Sequence, residues 1–385
     1  MAKIHRHRLL EAVRSGLSRA PVVSVLGPRR SGKTTLAREI AAERSATFLD
    51  LEDPRVLARL EHPAAALEPL QGLVVIDEVQ RKPELLELLR VLADRDPLPA
   101  RFLILGSASP TLVKGVSESL AGRVTFVDVS GFDLTEVGAP AHERLWLRGG
   151  FPRSFLAEDE AASREWRNDF IRTFLERDVP QLGISIPAAT LLRFWTMVAH
   201  IHGQVWNAAE LARSLGLSEG TARRYLDILS SVFLVRQLTP WFANVGKRQV
   251  KAPKIYIRDP GLLHALLGLG EKPALESHPK LGASWEGFAL EQVLALTGER
   301  NAYFWATHAG AELDLLLFSG GRRFGVELKY GDAPRITRSM HIAIEDLQLE
   351  RLFVVHPGSE SLALDERIEG VSILDLPRRF AGGVA

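Results

Sequence analysis

Cysteine is absent from the 385 residues, which excludes disulfides, thiolate metal centres and a cysteine nucleophile and is compatible with a reducing compartment. An excess of either charge is also lacking. The 48 Lys and Arg stand against 47 Asp and Glu, so net charge neither advertises nor excludes a polyanionic partner, and any basic surface must be local. No uncharged apolar run of about 18 residues occurs, and the start of the chain carries Lys3, Arg6, Arg8, Glu11 and Arg14 where a signal peptide needs an apolar core. The expectation is a cytoplasmic protein with no membrane association. Repeats and low-complexity tracts are missing too. What is present is an ordinary globular composition, 46% apolar and 25% charged, in a chain longer than one hydrophobic core, which predicts two or three domains.

Four regions follow from the texture of the chain. Over 1–130, short apolar runs at Val22–Leu26, Thr47–Leu51, Leu73–Ile76, Phe102–Leu105 and Val124–Val127 alternate with helical patterns, which predicts a mostly parallel sheet flanked by helices. Residues 131–186 read as a helical lid or connector. Residues 187–270 read as a compact helical module with a strand-like end, and 271–385 as a separate α/β module.

The segment Gly27-Pro28-Arg29-Arg30-Ser31-Gly32-Lys33-Thr34 follows an apolar strand and opens a helix, the context that a phosphate-binding loop requires. Backbone N–H groups at a helix N-terminus offer free donors to phosphate oxygens. Lys33 adds a charge for the outer phosphates, the Thr34 hydroxyl can ligate Mg²⁺, and Thr35 continues the loop into the helix. The strand Leu73–Ile76 ends in Asp77-Glu78. There Asp77 can hold Mg²⁺ and Glu78 can act as general base on the attacking water. Ser107, at the end of the strand Phe102–Leu105, is either a γ-phosphate-sensing hydroxyl or part of a turn. Arg123, just past Gly122, is either an arginine finger reaching a neighbouring subunit's nucleotide, which would require a homo-oligomer, or an ordinary helix-terminal cation.

Together with Leu120-Ala121-Gly122-Arg123, Leu147-Arg148-Gly149-Gly150-Phe151-Pro152 and Phe174-Leu175-Glu176-Arg177-Asp178-Val179, these motifs resemble the AAA+ class P-loop ATPases of bacteria and archaea that carry a C-terminal nuclease-like domain. The resemblance implies an AAA+/ASCE-like P-loop NTPase sheet, a helical connector, a winged helix and a small α/β restriction-endonuclease-like domain, with ATP and Mg²⁺ as ligands.

In the middle module Asn207–Ser214 and Ser218–Ser231 read as two helices joined by Leu215-Gly216-Leu217, with Ser218 as N-cap and Leu226 and Leu229 facing inward, a winged-helix pattern. Its second helix is expected to expose Thr221, Arg223, Arg224 and Tyr225. Lys247, Arg248, Lys251 and Lys254 add a basic stretch in the expected wing, so DNA is the candidate partner; the alternative is a packing module.

In the last module Asp314 on one strand and Glu327-x-Lys329 on the next resemble the core of the PD-(D/E)xK nuclease fold, with Glu286 on the preceding helix. Period-two alternation places Glu327 and Lys329 on one face. Such carboxylates can hold Mg²⁺ or Mn²⁺ while the lysine orients a water. An internal ion pair that only offsets the burial of charge explains the same residues. His308 reads as a turn residue. The functional expectation is an ATP-hydrolysing protein that binds or remodels DNA, with branched DNA in repair or recombination as a suitable substrate. The alternatives are an ATP-dependent signalling or defence switch that holds protein partners, and a metal-dependent DNase loaded by its ATPase.

Overall fold

The computed structural model describes residues 4–107, 110–242, 249–331 and 334–380. The chain divides into two compact units, one of residues 1–131 with 231–233, the other of 132–230 with 234–385.

The first unit runs α1 (His7–Arg19), β1 (Val22–Gly27), α2 (Lys33–Ala42), β2 (Ala46–Asp50), two short helices α3 (Pro54–Arg59) and α4 (Pro63–Leu67), β3 (Gly72–Asp77), α5 (Leu85–Ala93), β4 (Ala100–Ser107), α6 (Pro110–Ser119) and β5 (Val124–Asp128). The five strands form one sheet of order β2-β3-β4-β1-β5, and every pairing is parallel. Both faces are covered, as a parallel sheet demands. Val23, Val25, Leu103 and Leu105 pack with Leu10, Val13 and Leu17 of α1 and Leu36 and Ile40 of α2. Val22, Leu26, Val74, Ile76 and Ile104 pack on the other side with Leu85, Leu86 and Leu89 of α5. The strands therefore read as continuous apolar runs. Because β4 lies between β1 and β3, the strand ends carrying Gly27, Ser107 and Asp77 stand side by side at the carboxyl edge, where ligands bind in open α/β sheets.

The second unit begins with α7 (Leu134–Val137), α8 (His142–Arg148), α9 (Pro152–Phe155) and α10 (Glu160–Thr173), then a π-helical turn Phe174–Asp178, α11 (Val179–Gln181) and α12 (Ala188–His200). It continues through β6 (Gln204–Val205), α13 (Ala208–Leu215), α14 (Glu219–Ser231), β7 (Val235–Leu238), β8 (Lys254–Ile257), α15 (Pro260–Leu266), α16 (Lys272–Glu276) and α17 (Leu281–Thr297). Its last part is β9 (Ala302–Ala306), β10 (Glu312–Ser319), β11 (Arg322–Leu328), α18 (Arg338–Asp346), β12 (Arg351–His356), β13 (Leu362–Asp365), β14 (Ile368–Ser372) and α19 (Leu376–Arg379). Of residues 131–186, expected as a lid or connector, all from 132 on belong to this unit. Trp146 Nε1 donates to Ser284 Oγ of α17 at 2.9 Å, and the buried Arg167 donates to the carbonyls of Leu147 and Gly261.

Helices α13 and α14 are joined by a short turn, as expected. Gly216 ends α13 at φ 67°, a left-handed position that suits glycine, and Ser218 Oγ accepts from the Thr221 N–H. Leu226 and Leu229 are buried, as expected. β6, β8 and β7 form a small antiparallel sheet after it. The C-terminal sheet has six strands in the order β13-β14-β12-β11-β10-β9, with α18 packed on the face that carries Leu313, Leu316, Leu352 and Val354. Alternation sends Asp314 to the other face.

Candidate nucleotide site and a buried charge cluster

The loop after β1 is shaped before any ligand arrives. Arg30 and Gly32 have φ 63° and 94°, and left-handed residues within such a turn gather successive N–H groups into an anion-binding nest. Ser31 Oγ donates to Pro28 O at 2.9 Å and braces the turn. Gly27 admits no side chain, because a Cβ there would lie 2.0 Å from the Val129 carbonyl oxygen. The Lys33 ammonium is buried and donates to the carbonyls of Gly27 at 3.1 Å and Pro28 at 2.8 Å. Burial pushes it down to about 8, against the pull of Glu78 and Asp77. Weak carbonyl acceptors around a desolvated ammonium suit exchange for phosphate oxygens.

Thr34 Oγ1 donates to Asp77 Oδ2 at 2.7 Å, which joins α2 to the end of β3. Burial raises the Asp77 carboxyl, partly offset by Thr34. A hydroxyl and a carboxylate side by side beside a phosphate nest are a donor set that fits Mg²⁺, with Thr34 and Asp77 as the residues that would hold it. Glu78 sits at φ 57°, which turns its carboxylate out of the strand line. The Gln80 amide donates to it, and Arg29 lies 3.9 Å away. Ser107 is the register partner of Gly27, and its hydroxyl is buried without a hydrogen-bond partner among the described residues. Thr35 is exposed on the first turn of α2. The structure thus brings Lys33, Thr34, Asp77, Glu78 and Ser107 to one edge. Arg123 is engaged elsewhere, in a two-pronged pair with Asp94 of its own chain at 2.5 and 2.7 Å. That bond raises its pKa and lowers that of Asp94.

The sequence reading missed Arg6. It is buried and donates to the Ser31 carbonyl at 2.9 Å, to Ser130 O at 3.0 Å and to Gly131 O at 2.8 Å, tying the phosphate loop to the segment after β5. The signal available was the spacing Leu10, Val13, Leu17, an i, i+3, i+7 helical face that would have placed Arg6 at a helix start. Arg6→Met is expected to raise the Kd for ATP about tenfold, since hydrogen bonds from a charged group typically contribute about 1.5–3 kcal/mol each. Calorimetric titration with a non-hydrolysable ATP analogue checks it, and an unchanged affinity would show that Arg6 braces the fold alone.

In the second unit the expected nuclease-like residues do come together. Glu327 and Lys329 share a face as alternation predicts, with Lys329 Nζ 2.6 Å from Glu327 Oε2 and 3.4 Å from Asp314 Oδ2. The Leu328 N–H donates to that same Asp314 oxygen at 3.0 Å. Glu286 joins from α17, accepting from the Tyr256 hydroxyl at 2.6 Å. Two expectations need correction. Lys254 is not a wing cation: it is 3% exposed and points inward, where its ammonium lies 3.4 Å from both Glu286 and Asp314 and also pairs with Glu312. It opens β8, the central strand between β6 and β7, on the face where Glu286 and Asp314 lie. Tyr225 is not exposed either, being 8% accessible and edge-on to Phe194 at 5.4 Å. Arg223 and Arg224 are exposed; the Thr221 hydroxyl is bonded to Ser218 Oγ at 2.8 Å. Lys247 and Arg248 lie outside the described residues. His308 is exposed in its turn.

Burial shapes the charges of this cluster. It pushes Glu286 up to about 7 and Glu327 up to about 8, each with help from Asp314. Burial also works against the charged forms of Asp314 and Lys254. The two lysines nevertheless hold Asp314 below the usual carboxylate range, and the anionic neighbours hold Lys254 well above the usual lysine value.

Fold and site together are those of a P-loop domain, and a sequence signature described as AAA domain matches residues 19–138. Two domains of unknown function, DUF8612 and DUF4143, match 140–273 and 281–377. An uncharacterized protein of Mycobacterium tuberculosis is 54% identical over 368 residues, covering 96% of this chain and 83% of its own, and one of Mycobacterium bovis matches equally. The chain belongs to the family of these mycobacterial proteins. In fold it is similar to a Walker-type ATPase of Pyrococcus abyssi, with a TM-score of 0.50 and 15% identity over 69% of this chain and 96% of that one. No helix among the described residues is long and apolar enough to cross a membrane.

Proposed function

We propose that this protein hydrolyses ATP and couples turnover to binding or remodelling of DNA. The observation that carries the reading is the Thr34–Asp77 bond beside buried Lys33, with Glu78 turned out of the next strand position. Lys33 and the loop N–H groups would take the phosphates, and Glu78 would accept the proton of the attacking water. Mg²⁺, when bound, would neutralise charge on the phosphate oxygens. Support for DNA comes from the helix-turn-helix, read as a winged helix, where Arg223 and Arg224 stand exposed on α14, residue types suited to phosphate and base-edge contacts. Assembly through Arg123 as a finger requires its pair with Asp94 to open.

The second reading is an ATP switch that holds protein partners. The inward-facing Lys254 and Tyr225 favour it, because both leave the surface expected to meet DNA. Mg²⁺-dependent ATPase rates measured with and without duplex, single-stranded and four-way-junction DNA separate the two. Stimulation by one DNA form, reduced at least fivefold in Arg223→Ala/Arg224→Ala, is the expected result. A flat rate with no DNA binding at low salt would overturn the proposal in favour of the switch.

A further inference from the structure

The resemblance to PD-(D/E)xK nucleases implies a divalent cation among Asp314, Glu327 and Glu286. The side chains present do not fit one. A hard cation needs several carboxylate oxygens free to approach to about 2.0–2.6 Å, and here four of the six oxygens of Asp314, Glu286 and Glu327 are engaged, both of Asp314 among them. Asp314 Oδ1 faces Lys254 Nζ at 3.4 Å, and Asp314 Oδ2 takes the Leu328 N–H at 3.0 Å and faces Lys329 Nζ at 3.4 Å. Glu286 Oε1 accepts from the Tyr256 hydroxyl and faces the same Lys254 ammonium. Glu327 Oε2 is paired with Lys329. Among the described residues no group of three or more His, Asp or Glu is arranged to hold a metal.

We propose that the Lys254 ammonium is a tethered cation in the place a divalent ion would take, making the Asp314–Glu286–Glu312 cluster a metal-free ion-pair lock between β8 and the C-terminal sheet.

The backbone enforces this. Lys254 is paired with Val205 on one side and Leu238 on the other, which fixes the backbone position from which its buried side chain reaches the cluster. Lys254 and Tyr256 are two apart on one strand and so share a face, and both reach Glu286. A second cation brought into this buried space would meet Lys254 as a like charge at close range, in surroundings where water screens poorly. Removing Lys254 instead would leave Asp314 buried with fewer partners, a strong driving force to recruit a cation. The lock spans 60 residues of sequence, from Lys254 to Asp314. It is a reason for 187–270 and 271–385 to behave as one piece.

The test counts Mn²⁺ bound to the full chain without nucleotide, by electron paramagnetic resonance, and follows the melting temperature with and without Mn²⁺. Wild type and Asp314→Asn are expected to bind the same number of ions. Lys254→Met is expected to gain one ion with at least tenfold tighter affinity than any wild-type site outside the phosphate loop, and to regain melting temperature when Mn²⁺ is added. An Mn²⁺ ion bound by wild type and lost in both Asp314→Asn and Glu286→Gln would overturn the proposal, as would a folded Lys254→Met that gains none. Should Lys254→Met not fold, the comparison of wild type with the two carboxylate variants decides.

Discussion

Glu78→Gln is expected to lower the ATP turnover rate by about 10²–10⁴-fold, the usual contribution of a positioned general base, while ATP affinity changes less than about threefold. The two effects separate because the phosphate contacts lie elsewhere, in the loop N–H groups, Lys33 and the Thr34–Asp77 pair. Gln keeps the size of Glu and its carbonyl oxygen, so the contact with the Gln80 amide survives and the left-handed backbone at position 78 is undisturbed. What disappears is the ability to accept a proton from water. Single-turnover hydrolysis beside equilibrium binding of a fluorescent ATP analogue distinguishes the outcomes. If affinity falls as far as turnover, Glu78 is a structural member of the site, and Asp77 alone carries the carboxylate chemistry.

Gly261→Ala is expected to destabilise the second unit by roughly 3 kcal/mol or more, at the upper end of overpacking effects, with a fall in melting temperature of roughly 6–12 °C for a unit of this size. A Cβ at this position would lie 2.2 Å from the Arg148 carbonyl oxygen and 2.5 Å from its carbon. Both are backbone atoms, and the Arg148 carbonyl is itself held by the Ser154 hydroxyl at 2.6 Å, so the clash is not relieved by a side-chain rotation. The same contact explains why Gly149-Gly150 adjoins α15: the Gly150 N–H donates to Asp259 Oδ2, whose other oxygen accepts from Leu262 N–H and caps that helix. Gly282→Ala is the control. It sits exposed in α17 with open space around the added carbon, so the ordinary helix preference for alanine predicts a small gain of at most about 1 kcal/mol. Equal effects at the two glycines, read by differential scanning calorimetry, would refute the packing argument.

Local pattern was enough to mark the phosphate-loop signature and much of the secondary structure. The phosphate loop is contiguous, and its glycines and lysine act through neighbours within a few bonds. Asp77-Glu78 was legible because a buried parallel strand is an unbroken apolar run and its end is where polarity returns. The shared face of Glu327 and Lys329 followed from the period of a strand, and the α13–α14 turn from Gly216. Each of these depends on interactions spanning a few residues, where steric rules leave little choice.

The partners of charges were decided by tertiary structure. Lys254 lies in a basic stretch of sequence, and only the tertiary fold sets it beside Asp314, 60 residues away. Arg123 finds Asp94 at a separation of 29, and Arg6 finds Gly131 at 125. The insertion of β4 between β1 and β3, which sets Ser107 beside Gly27, is likewise invisible in any window of sequence. By itself the sequence determined the phosphate-loop signature, the apolar strands of the first sheet and the α13–α14 turn, because backbone sterics and apolar periodicity act locally. The tertiary structure decided which charges are consumed inside the protein, because the cost of burying a charge is set by whatever distant residues the fold packs around it.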